Sequence, residues 1–366
     1  MYRMIGALAV CAASTMAFAQ PSQGKKAEEV YKNIVQMRGV PADQVQPAMQ
    51  FIAASLGVNC QFCHVQGDPS SDERNAKKTA RMMMEMTAKI NQEAFRGRQT
   101  ITCESCHRGS TRPVSIPPVM ETDTPPATMG MGPGPSGPGG GRGPGANQGP
   151  TADQIVDKYV AAVGDAEAIH KIATREAKGE TIVADRKSPI ELYMKAPNLR
   201  VSISKMGDGE SYTAFDGTAG WMGNTGREPR DMSAEESWAA GLDAEFALPL
   251  RLKEIFPQLR RGRPETINGE ECEVLTGTAQ GHAPIRFDFS TKTGLLVRLV
   301  RYTDTPMGRM PTQIDYADYR DANGVKVPFR WTISRPNGRF TIQLSEVKSN
   351  VPIDAAKFAK PSGPIK

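Results

Sequence analysis

Residues 56–66 read LGVNCQFCHVQ, and residues 101–109 read ITCESCHRG. Each stretch carries Cys-x-x-Cys followed directly by histidine, in a chain of 366 residues that holds six cysteines and four histidines. Paired cysteines serve three chemistries: disulfides, thiolate metal sites, and covalent attachment of haem. A disulfide has no use for the histidine. A single zinc site built from Cys60, Cys63, Cys103 and Cys106 is the closest rival, and it leaves both histidines without a role. In haem attachment the two thiols bond the vinyl groups and the adjacent histidine ligates iron, so every member of the motif is used. The spacing therefore predicts two haem c groups. Cys60, Cys63 and His64 would hold one, and Cys103, Cys106 and His107 the other.

Working outward, Lys25 to Arg38 has helical spacing through Val30, Ile34 and Met37. Ala42–Leu56 is a second helix candidate, with Met49, Ile52, Ala53 and Leu56 on one face and Gly57 to end it. A third should run from Asn75 to Ala94, just ahead of the second cysteine cluster. This part, residues 20–118, reads as an all-α dihaem domain. It holds 13 basic and 9 acidic residues, a mild bias that suits an acidic redox partner and predicts no nucleic-acid binding. The remaining histidines, His170 and His282, lie far downstream, so a methionine thioether is the sixth iron ligand to look for. Met49 precedes His64 on the second helix. By spacing alone it is equally a ligand or an ordinary core residue.

The start of the chain, MYRMIGALAVCAASTMAFAQ, reads as a secretory signal over residues 1–19, with a small-x-small site before Gln20. No later segment is apolar enough to cross a bilayer. The mature chain is thus expected in the periplasm, free or at a membrane surface. Residues 119–150 are rich in proline and glycine without a period and read as a tether. From 151 to 366, a short helix leads into alternating runs punctuated by Asp-Gly at 208–209 and Asn-Gly at 323–324 and 337–338. The expected architecture is a strongly curved antiparallel sheet, a half-barrel, with helices packed against one side. Trp221 and Trp331 read as core or rim aromatics, Cys272 as a buried free thiol, and His170 and His282 as surface or satisfied histidines.

The stretch PAMQFIAASLGVNCQFCHVQG, then KKTARMMMEMTAKINQEAF, then ITCESCHRG resembles the cytochrome c subunit family of photosynthetic reaction centres over about residues 30–115. That resemblance implies Met49 as the distal ligand of the first haem. It implies Met83 for the second, with Met84 and Met86 as competitors. The family's tetrahaem members carry four attachment motifs and this chain two, so the resemblance implies the two-haem unit and one-electron transfer but not photosynthesis. FDGTAGW (215–221), INGEECEVL (267–275) and NVPIDAAKF (350–358) resemble the lipoprotein-carrier half-barrel of the outer-membrane lipoprotein-sorting family, which implies a lipid or lipoprotein ligand. The leading expectation is an electron carrier with periplasmic or membrane-bound redox partners and no catalytic residue of its own. The alternatives are a haem enzyme, such as a peroxidase or small-molecule reductase, and a lipid carrier with a redox-sensing haem head.

Overall fold

A computed structural model describes residues 24–113, 149–336 and 338–365. The signal segment 1–19 and nearly all of the tether 119–150 lie outside the described residues. The N-terminal part contains α1 (Ala27–Val30), α2 (Val45–Leu56), α3 (Asn75–Phe95) and α4 (Cys103–His107). The second and third helices fall where the apolar spacing puts them. Gly57 ends α2 in the left-handed conformation at φ 64°, a position that suits a residue without Cβ.

The helix expected over Lys25–Arg38 does not form beyond one turn. The Glu28 carboxylate instead accepts from the Gly39 N–H, and Ala27 N–H bonds Val40 O at 2.8 Å, so the segment folds back as a closed loop. Asn33 takes a left-handed φ of 60° within it. Local hydrogen bonding of this kind competes with the helix, and the β-branched residues Val30, Ile34 and Val35 add little helical propensity to resist it.

The C-terminal part opens with α5 (Ala152–Val163) and α6 (Ala166–His170). The side chain of Thr151 caps α5 by accepting from the Gln154 N–H, and Gln154 answers the Thr151 N–H in a capping box. Strands follow as β1 (Thr174–Val183), β2 (Arg186–Lys195), β3 (Leu199–Met206), β4 (Gly209–Asp216), β5 (Gly220–Asn224) and β6 (Arg230–Asp231). Two helices, α7 (Ala234–Ala244) and α8 (Leu248–Ile255), interrupt them. The remaining strands are β7 (Gln258–Arg261), β8 (Glu265–Ile267), β9 (Glu270–Thr278), β10 (Ile285–Ser290), β11 (Leu296–Thr305), β12 (Gly308–Ala322), β13 (Val325–Arg335) and β14 (Gly338–Ser349).

All fourteen strands join one antiparallel sheet in the order β6-β5-β4-β3-β2-β1-β14-β13-β12-β11-β10-β9-β7, with β8 beside β9. The β12–β13 hairpin turns at the expected Asn-Gly 323–324, the β3–β4 hairpin turns at 207–208, one residue before the expected Asp-Gly, and Arg335 pairs with Gly338 at the third. The curvature follows from α7, which packs on β3, β4 and β5 and also on β11. In a flat sheet β3 and β11 would lie about 29 Å apart at the usual strand spacing. One helix of about 10–12 Å diameter meets both only if the sheet wraps around it.

The main core lies between the sheet and α5, α7 and α8. Phe256, Phe287 and Phe289 are each 1% exposed, with the Phe256 and Phe287 rings edge-on at 5.2 Å. Trp221 is buried and its indole N–H donates to Phe358 O at 3.1 Å. Cys272 is a buried free thiol, as expected, and His282 stacks on Trp238 with Nδ1 3.2 Å from Glu235. The helical part rests on the β11–β12 hairpin. There the Phe51 ring lies against Gly308, Gln99 Nε2 donates to Pro306 O at 2.6 Å, and Met307 joins the N-terminal apolar cluster.

Candidate haem-attachment site

Each cysteine cluster sits on a short turn at the end of a longer element. Cys60 to Phe62 form a 3-10 turn capped by the Asn59 side chain, which accepts from the Gln61 N–H at 3.1 Å. Cys103 to His107 form α4, which starts at Thr102. The two turns are tied together through the end of α2. Gly109 N–H donates to Ser55 O at 2.9 Å, and Gly57 and Gly109 cross so closely that a Cβ on Gly57 would strike the Gly109 carbonyl.

The two histidines share one arrangement. His64 Nδ1 lies 3.0 Å from Pro69 O, and His107 Nδ1 lies 2.8 Å from Ser110 O. A carbonyl only accepts, so each Nδ1 carries the proton and Nε2 is left for a metal. A second partner that fixes the ring in this way is the usual support of an iron- or zinc-bound histidine.

Two residues that the sequence reading passed over hold these loops. Lys77 and Asn91 are the buried residues of α3. Lys77 Nζ donates to Pro69 O, Ser70 O and Ser71 O at 2.8–2.9 Å, so the carbonyl that holds His64 is itself held. Asn91 Oδ1 accepts from the N–H groups of Thr100 and Ile101, and its Nδ2 donates to Ile101 O at 2.7 Å. It thereby anchors the strand of chain that enters α4. Their fourteen-residue separation puts them near one helical face, and a polar pair at that spacing inside an otherwise solvated helix is the one trace they leave in the sequence.

Cys60, Cys63, Cys103 and Cys106 are free and lie at the surface or half-buried. Burial pushes the Cys63 and Cys103 thiols up, with neighbouring Cys60 adding to the first, the reverse of the depressed value a redox-active Cys-x-x-Cys needs. Among the described residues no three His, Cys, Asp or Glu side chains converge on a common point.

The N-terminal unit is rich in methionines on α2 and α3. Met49, half-buried on α2, packs with Met84 against Ala27, Met37, Val45 and Ala48. Met82, Met83 and Met86 stand out from α3 with 58%, 37% and 44% of their surface exposed, and Ile90 with 37%. Such an uncovered apolar stripe is a surface a flat apolar macrocycle could cover, and the donor set of the two Cys-x-x-Cys-His turns fits covalently held haem.

Residues 7–131 match the family model for the photosynthetic reaction centre cytochrome C subunit. The photosynthetic reaction center cytochrome c subunit of Thermochromatium tepidum is 31% identical over 99 residues, 26% of this chain and 24% of that one. Cytochrome c-554 of Chloroflexus aurantiacus is 28% identical over 115 residues, 27% of this chain and 28% of the other. The chain thus spans about a quarter of the length of these curated relatives. Among solved structures, a LolA superfamily protein from Nitrosomonas europaea aligns at 13% identity and a TM-score of 0.40, over 58% of this chain and 99% of its own. A DUF1329 family protein from Desulfovibrio piger aligns at 13% and 0.39, over 57% and 97%. The N-terminal unit accordingly resembles the photosynthetic reaction centre cytochrome c subunits.

Proposed function

We propose that this chain is an exported dihaem c-type cytochrome that carries single electrons, fused to a sheet domain that binds a ligand or docks on a partner. The observation that carries the reading is the repeated Cys-x-x-Cys-His with each histidine Nδ1 held on a backbone carbonyl. Cys60 and Cys63 would attach one haem and Cys103 and Cys106 the other, with His64 and His107 ligating iron through Nε2. Met49 would supply a thioether ligand to the first haem and Met83 to the second, with Met84 and Met86 as competitors.

Haem bound in this way supplies a reversible one-electron couple, and a thioether ligand raises its potential. The chain's own part is to fix the two histidines through Pro69 and Ser110 and to hold the two attachment turns side by side at the Gly57–Gly109 crossing. Close fixed placement of two such centres favours passage of an electron from one to the other over chemistry on a substrate. The redox partners are periplasmic or membrane-bound proteins, and the sheet domain takes a lipid-like ligand or fixes where the redox unit works.

The test is maturation of the full chain by a c-type haem assembly system, with haem counted by mass and by optical spectrum. Two haems per chain, low-spin in both oxidation states and unreactive to carbon monoxide, are the expected result. Met49→Ala should then open one of the two to carbon monoxide. A chain that matures with a single haem, or with none, removes the dihaem reading.

A further inference from the structure

The concave face of the sheet, α7 and the start of α8 enclose a cavity of about 1280 Å³, above the roughly 300–1,000 Å³ of ordinary small-molecule pockets. Its walls are largely apolar, with Ile190, Leu192, Leu299, Ile314, Ile342 and Leu344 among the lining side chains. The charges in it are lopsided. Three carboxylates line it, Glu236, Asp243 and Glu245. Glu236 is taken by Arg230 through two hydrogen bonds, and Glu245 pairs with Arg251, neither arginine belonging to the lining. Asp243 faces the cavity's arginines, and Glu236 also lies near one of them, Arg335. Asp243 holds Arg301 at 2.8 and 2.9 Å, while Arg301 also donates to Ala239 O.

Four further arginines line it without such a partner; Arg186, at the start of β2, is exposed, and the other three are Arg175, Arg200 and Arg335. Arg175 on β1 and Arg200 on β3 flank Met194 in one cross-strand row, so the two guanidinium stems rise on the same face. Arg335 closes β13 on the other half of the sheet. Among the described residues none of the three forms a salt bridge or a side-chain hydrogen bond, and Arg175 Nε is fully buried with no acceptor. Arg175 meets only the Phe246 ring, 5.2 Å from its centroid. Burial pulls the Arg175 and Arg200 guanidiniums below their ordinary value, Arg175 to about 10, as under-compensated cations in a low-dielectric space must be, and Arg335, lowered as well with Arg301 near it, keeps a solvent-exposed side chain. Buried donors left without acceptors are costly, and a protein keeps them where something else supplies the acceptor.

We infer that the cavity binds a single-chain anionic amphiphile whose oxyanion head is held by Arg175, Arg200 and Arg335 while its hydrocarbon chain lies along the apolar wall. The charge excess selects a carboxylate or phosphate head over a neutral one, and the apolar lining selects a chain-bearing anion over a free one. The inference rests on the ligand-binding part of the function proposed above and is independent of the haem count.

The experiment uses the full-length, haem-loaded protein, stripped of lipid, and measures binding of oleate, oleyl alcohol and inorganic phosphate by calorimetry. Oleate should bind one per chain and at least tenfold more tightly than oleyl alcohol, and millimolar phosphate should not displace it. Arg200→Met and Arg335→Met should each bring oleate toward the alcohol's affinity and leave the alcohol unchanged. The oleate-to-alcohol ratio on the unaltered chain needs no variant to fold. Equal affinity for oleate and the alcohol overturns the anionic head but leaves a lipid-binding domain. Displacement by phosphate overturns the amphiphile. Failure of all three probes to bind overturns this inference and the ligand-binding reading together, with two haems per chain still counted.

Discussion

Of the 21 residues of α3, the buried ones are Lys77 and Asn91, both polar, whereas five of the six residues of β10 are buried. The helical unit exposes methionines and buries hydrogen-bonding anchors, and the sheet unit encloses phenylalanines and leaves a lined hollow. Each is incomplete in its own way. The first lacks apolar mass to cover its helices, which covalently attached macrocycles would provide. The second has a finished core and a lined cavity beside it. Sequence-local chemistry accordingly marks the first unit, while only long-range pairing builds the second.

The comparison can be broken most directly by withholding haem. The Cys60→Ala/Cys103→Ala chain, expressed without haem maturation, should lose amide protection across α2 and α3 by about 100-fold or more, while β9 to β14 keep theirs. Native-like protection of α3 in that chain would show that its core is complete without a cofactor.

The converse change is Phe287→Ala in the sheet, at a side chain 1% exposed. Denaturant unfolding followed by tryptophan emission should show a loss of about 3–5 kcal/mol, with the haem absorbance transition unmoved. A parallel shift in both signals would mean that the two units unfold as one.

Gly57→Val sharpens the contrast within the helical unit. It places a β-branched residue at φ 64° and drives its Cβ into the Gly109 carbonyl. About 1–3 kcal/mol should be lost from the haem-linked transition alone.

The smallest effect concerns Asp243. Burial opposes its ionisation, but the Arg301 guanidinium, with Arg200 and Arg335 beyond it, holds the carboxyl below the usual carboxylate range. A folded value below the unfolded one of about 3.9 means that ionised Asp243 stabilises the fold at higher pH. That stability disappears as pH falls through the folded value. Melting temperatures from pH 6 down to pH 2 should therefore fall more steeply for the unaltered chain than for Asp243→Asn, and matching slopes would remove the ion pair from the account.

What could be read beforehand follows the same division. Cys60, Cys63, His64 and their second copy stand out in the sequence because the attachment chemistry proposed for them needs contiguous residues. The ends of α2 and α3 are legible because apolar spacing and Gly57 mark them. The loop over Lys25–Arg38 reads as a helix because Val30, Ile34 and Met37 recur at helical intervals, and nothing local announces that Glu28 will turn back to Gly39. Lys77 and Asn91 gain their roles from loops that reach α3 from elsewhere. Arg175, Arg200, Arg301 and Arg335 are scattered over β1, β3, β11 and β13, and only the wrap of the sheet around α7 gathers them.

The crossing of Gly57 over Gly109 has a consequence for the order of assembly. It joins positions about 50 residues apart, so the entropy of closing that loop delays it behind the helices, which form locally. Before it closes, each Cys-x-x-Cys-His segment is an accessible stretch of chain, open to an enzyme that must bring two thiols to one macrocycle. Once Ser55 and Gly109 are bonded, the two segments belong to one rigid frame. Attachment is thus expected to precede closure. In a time course of maturation, Gly57→Val should slow the gain of protease resistance and leave the rate of haem incorporation as it was.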